Sequence, residues 1–76
     1  MTTTSTAEHV TTDLNEAAFI MACGHRLLRV DDGRFRSFVF DAAAAGASDA
    51  YRRDAPVPAR SFVRRLREIR NFIHGS

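Results

Sequence analysis

The stretch that most constrains this chain is residues 25–41, which read HRLLRVDDGRFRSFVFD. Two apolar runs flank an Asp32-Gly33 pair, and Asp-Gly is among the pairs that accept positive φ at both central positions of a type I′ turn. The expected element is a β-hairpin with a two-residue turn. Pairing outward from that turn sets Asp31 opposite Arg34, Val30 opposite Phe35, Leu27 opposite Phe38 and His25 opposite Phe40. Side chains alternate across a strand. One face then carries Leu27, Phe38 and Phe40 at its base with Arg29, Asp31, Arg34 and Arg36 near the tip. The other carries Leu28, Val30, Phe35 and Val39. A β-branched residue in place of Gly33 is expected to break such a turn. An isolated hairpin is marginal in water, so these apolar residues need cover from elsewhere in the chain.

The segments on either side supply that cover. His9-Val10-Thr11-Thr12 is a short β-prone run that can add an edge strand. Asp13, or Thr12 before it, is placed to cap a helix over residues 14–23, with Glu16 three residues beyond Asp13 as in a capping box. Only Asn15 and Glu16 are strongly polar in this helix, so it should be buried on more than one side. Gly24 suits the residue that ends it. After the hairpin, Asp41 can cap a weak, alanine-rich second helix in which Gly46 costs about 1 kcal/mol relative to alanine and Tyr51 is the one large anchor. Pro56 and Pro58 force an extended break. The last helix, residues 59–74, has the clearest pattern: Phe62, Leu66, Ile69 and Ile73 form one apolar stripe, and Arg60, Arg64, Arg67 and Asn71 form a polar stripe opposite. Together these elements predict an α+β domain over residues 9–76. Residues 1–8 are Thr/Ser-rich with nothing to bury, and read as a disordered lead-in.

At 76 residues the chain holds a single core of barely sufficient size. Its one cysteine, Cys23, allows no intrachain disulfide, which favours a reducing cytoplasm and, weakly, self-association to bury more surface. No apolar run approaches the length of a membrane span. The net charge of +2 conceals an asymmetry. Residues 1–50 hold four arginines against seven acids, and residues 51–76 hold seven arginines against two. There is no lysine. Codon usage of a GC-rich genome accounts for that bias, but it does not place the arginines.

The order of signals resembles a small family of uncharacterised domains encoded in bacterial and phage genomes. The resemblance rests on Thr11-Thr12-Asp13-Leu14, the alanines of the first helix, Gly24 followed by Leu27, and Phe38-x-Phe40. Tyr51 and then Val57-Pro58 leading to Phe62 complete it. It spans about residues 10–73 and is a diffuse hydrophobic pattern. It implies a phage or mobile-element setting and transfers no catalytic residue.

The chemistry-bearing residues give little purchase for catalysis. Cys23 beside His25 lacks the further ligands zinc requires, and a thiol ending an apolar helix reads as core. Ser37, Ser48 and Ser61 stand in no nucleophile-elbow context, and no glycine-rich phosphate loop is present. The acids fall at caps and turns. No enzyme activity and no cofactor or metal are expected. Two binding readings remain. The leading one is a non-catalytic module that binds a protein partner or itself, as an oligomerisation or inhibitor module, through the apolar face Leu28, Val30, Phe35 and Val39. The alternative is nucleic-acid backbone binding by Arg29, Arg34 and Arg36 at the hairpin tip and Arg60, Arg64, Arg67 and Asn71 on the last helix. Burial decides between them: an exposed hairpin face favours a protein interface, and a covered face with converging arginines favours nucleic acid.

Overall fold

The computed structural model describes residues 8–74. These residues form an α+β fold of three strands and three helices. The order is β1 (Glu8–Thr11), α1 (Leu14–Ala22), β2 (Arg29–Asp32), β3 (Arg36–Asp41), a 3-10 turn (Ala42–Ala44), α2 (Ala45–Arg52) and α3 (Ala59–His74). The expected edge strand is present, beginning at Glu8, one residue before the anticipated domain boundary. The rest of the lead-in lies outside the described residues. All pairing is antiparallel in the order β1-β3-β2, so the last strand made is the central one.

Local chemistry explains the helix limits. The Asp13 carboxylate accepts from the backbone N–H of Asn15 at 2.8 Å and of Glu16 at 3.2 Å, closing the first turn of α1. At its other end Gly24 takes a φ of 103°. Its N–H reaches the Met21 carbonyl at 2.9 Å and the His25 N–H reaches the Ile20 carbonyl at 3.3 Å, which is the paired pattern of a Schellman motif. The end of α2 repeats this pattern: the Asp54 N–H bonds to the Tyr51 carbonyl and the Ala55 N–H to the Ala50 carbonyl, both at 3.0 Å. Here, however, an aspartate occupies the left-handed position, at φ 61°.

The core joins one face of the sheet to all three helices. Phe38 and Phe40 of β3 meet Ala17, Ala18 and Ile20 of α1, Ala47 of α2 and Ile69 of α3. Leu66, Phe62 and Ile73 pack against this cluster, so the apolar stripe of α3 faces inward as its spacing predicts. The alanines let α1 approach the phenylalanines closely, and Phe40 and Ile20 are fully buried.

The hairpin departs from expectation. Asp32 pairs with Arg36 and Val30 with Phe38, so the connection is the three residues 33–35 and not a two-residue turn at Asp32-Gly33. The partner of Phe40 is His9 of β1, not His25. Gly33 does not adopt positive φ, and a Cβ there would meet nothing within 4 Å. The turn therefore does not require glycine as expected. Burial sets the register instead of turn propensity. A shift by an odd number of residues moves Val30 onto the core face beside Phe38, where it packs against the cluster. Leu27 also reaches the core although it lies three residues from Val30. The offset is taken up where the Leu28 N–H bonds to the Val39 carbonyl at 2.8 Å while Arg29 faces the same Val39. Two residues oppose one, as in a β-bulge, and Leu28 is turned out to solvent.

Candidate binding surfaces

The four residues expected to form one apolar hairpin face do not share a face. Leu28 and Phe35 are exposed, Val30 is half-buried against the core, and Val39 is buried on the sheet's outer side. Val39 owes its burial to the residues around it. Val10 of β1 and Arg29 of β2 are its two cross-strand neighbours. The Arg29 side chain reaches over β3 to Glu8 on the far strand, with Nη1 to Oε2 at 2.9 Å and Nη2 to Oε1 at 3.0 Å. Its Nε also donates to Asp31 at 3.1 Å. The aliphatic stem of Arg29 and this bidentate pair roof the valine. Bonding to Arg29 holds the Glu8 carboxyl below its ordinary 4.5, and the same bond, with the charges of Asp31 and Glu8, raises the Arg29 guanidinium further above its usual range.

The arginines expected to bind are thus of two kinds. Arg29 is held by Glu8 and Asp31, and Arg36 Nε is held by Asp32 at 3.0 Å. Arg34, exposed in the loop, forms no ion pair among the described residues. On α3 the only ion pair among the described residues is Arg65 with Glu68 at 2.9 Å. Arg60, Arg64 and Arg67 are all exposed and lack an acidic partner among the described residues. They stand with Ala59 and Val63 around a shallow groove of about 430 Å³, and Val63 is 48% exposed in its floor. Asn71 continues the row, also exposed.

Two features had no counterpart in the sequence reading. The first is a buried polar cluster. Glu16, expected as a capping-box acid, turns inward and is only 6% exposed. Its carboxylate accepts from Thr11 Oγ1 at 3.2 Å and from the Ser48 hydroxyl, with His9 Nε2 at 3.6 Å. It ties β1, α1 and α2 together. The juxtaposed Ser48, Glu16 and His9 have the composition of a hydrolytic triad, yet Ser48 is 1% exposed and its hydroxyl is committed to Glu16. A substrate cannot reach it. The only early signal was a lone acid on an otherwise apolar helix.

The second feature is a cleft of about 500 Å³ walled by Phe19, Tyr51 and Phe62 with Ala55 and Val57, and rimmed by Arg52 and Asp54. Phe19 and Tyr51 meet edge to face, with ring centroids 5.4 Å apart. Burial, followed by the carboxylates of Asp13 and Glu16, pushes the Tyr51 phenol up. The residues of this cleft come from three separate stretches, which no local spacing brings together.

Cys23, read as core, is exposed. It caps α1 just before the chain reverses at Gly24, beyond the inward side formed by Ala17, Ala18 and Ile20. Residual burial pushes its thiol up, away from the thiolate form. Among the described residues no group of three or more His, Cys, Asp and Glu side chains is placed to hold a metal ion, and no helix is long and apolar enough to cross a membrane. Compared with known proteins, the chain matches no family model, no curated protein and no solved structure.

Proposed function

We propose that this protein is a small non-catalytic binding module whose working surface is the outer face of α3, and that it docks an acidic segment of a partner protein there. The observation that carries this reading is the contrast in pairing: Arg60, Arg64 and Arg67 lack acidic neighbours among the described residues, whereas the sheet-side Arg29 and Arg36 have them. An apolar floor at Val63 between the arginines suits a partner helix that carries both carboxylates and an apolar side chain. At 1.5 Å rise per residue, Arg60 and Arg67 stand about 10 Å apart, two turns of such a helix. The phage or mobile-element setting implied by the resemblance fits a small cytoplasmic module that docks on a host protein.

Nucleic acid is the second reading, favoured by the same guanidinium row, which has no ion-pair partner among the described residues. Anisotropy titrations with a labelled peptide carrying Glu at i, i+4 and i+7 around one Leu, and with a labelled 20-base-pair duplex, separate the two across a salt series. The expected result is micromolar peptide binding that weakens tenfold or more in Arg64→Ala/Arg67→Ala and also weakens in Val63→Ser. Duplex binding tighter than peptide binding, with a logarithmic salt slope near −0.9 per phosphate contact and no response to Val63→Ser, would establish the nucleic-acid reading instead.

A further inference from the structure

Phe35 is the most exposed large apolar side chain among the described residues, at 68%. It closes the loop 33–35 at the hairpin tip, between Arg34 and Arg36 and beyond the acids Asp31 and Asp32. The tip therefore presents one aromatic ring flanked by two arginines: Arg36 is paired with Asp32, and Arg34 forms no ion pair among the described residues. The aromatic cleft is built in complement. Phe19, Tyr51 and Phe62 wall it, and its rim carries one charge of each sign, Arg52 and Asp54. Neither rim residue forms an ion pair with another described residue. The volume, about 500 Å³, is in the range that takes a compact ligand, larger than one ring and with room for flanking chain.

Asp54 occupies the left-handed position at the end of α2, with φ 61°, where the end of α1 uses glycine. Aspartate tolerates this position better than most side chains, and it lies in the lining of the cleft.

We propose that the cleft of one copy receives the hairpin tip of a second copy. The Phe35 ring enters among Phe19, Tyr51 and Phe62, and Arg34 meets Asp54. A second copy is the occupant because this same chain offers an exposed ring for the aromatic cleft and, beside it, an arginine for Asp54, neither of these two charges having an ion-pair partner among the described residues. A two-fold arrangement seats both tips at once and closes at two copies. The surface is independent of the arginine face of α3. A contact anchored by one ring is small, so association is weak and concentration-dependent.

Sedimentation equilibrium of the full chain up to about 1 mM, the regime of small interfaces, tests it. The mass is expected to rise above the 8.5 kDa of a single chain with concentration. Phe35→Ser should remain at the single-chain mass, and Arg64→Ala/Arg67→Ala should associate like the parent. Arg34→Glu and Asp54→Arg should each weaken association at least tenfold alone, and an equimolar mixture of the two should regain it through the exchanged charge pair. Phe35 and Arg34 are exposed in the loop, so their variants keep the fold, which circular dichroism checks, and the test stands even if Asp54→Arg fails to fold. A parent that stays at 8.5 kDa throughout, or association unchanged in Phe35→Ser, overturns the proposal.

Discussion

The outer side of the sheet and the outer face of α3 both carry arginines, but they use them in opposite ways. On the sheet, Arg29 crosses β3 to Glu8 and is braced by Asp31, and beneath it Val39 is sealed from water although it points away from the core. On α3, Arg60, Arg64 and Arg67 surround a half-exposed valine, Val63, with no acid to close over it among the described residues. The two valines differ mainly in that closure. An arginine's role in this fold is set by the strand neighbours that reach it, which spacing along one element does not reveal.

The largest test of that contrast is the sealed valine. Val39→Ala should cost about 2–3 kcal/mol, the burial of its lost methyl groups plus a cavity term, read from the urea midpoint at unchanged m-value. Val63→Ala should cost well under 1 kcal/mol by the same measurement. Equal losses at the two positions would break the comparison.

A smaller effect is expected from the roof itself. Arg29→Ala should lower the melting temperature measurably, and Glu8→Gln should lower it less. Because Glu8 titrates below its ordinary 4.5 when folded, its contribution is complete above that pH and is lost as pH falls through the lowered value. Glu8→Gln should therefore lower stability at neutral and alkaline pH, and its difference from the parent should vanish as pH falls through the lowered value, which flattens the acid limb of the profile. A parent and variant with parallel acid limbs would show that the pair does nothing in solution.

The smallest effect on stability sharpens the other side. Arg64→Ala/Arg67→Ala should leave stability within about 0.5 kcal/mol of the parent, while removing the peptide binding proposed for this face. Loss of stability there would mean that the α3 arginines are structural after all.

Much of the fold was legible because local chemistry and burial agree. Asp13 and Gly24 bracket α1, Asp41 caps the turn into α2 by accepting from the Ala43 N–H at 3.1 Å, and the Phe62–Ile73 stripe of α3 faces the core. The hairpin register was not legible. Asp32-Gly33 carries strong turn chemistry, and only the demand that Val30 join Phe38 on the core face overrides it. Among candidate residues, the exposed α3 row was placed correctly by periodicity. Leu28, Val30, Phe35 and Val39 were scattered by the register shift and the bulge. Glu16 shows why the rest was hidden: three hydroxyl and imidazole partners from β1 and α2 make it a buried tie, and none lies near it in a helical repeat.

The strand order β1-β3-β2 also sets a timetable. When β1 and α1 are synthesised, the strand that β1 will join does not yet exist, and Thr11 must wait for Phe38. The β2–β3 hairpin closes across three residues, whereas joining β1 to β3 closes a far longer loop and carries a larger entropic cost. The hairpin is thus the natural early structure, and β1 docks onto its finished edge, bringing Glu8 to Arg29 last. Weakening that late contact by Glu8→Gln should speed unfolding and leave the refolding rate nearly unchanged, as chevron kinetics would record.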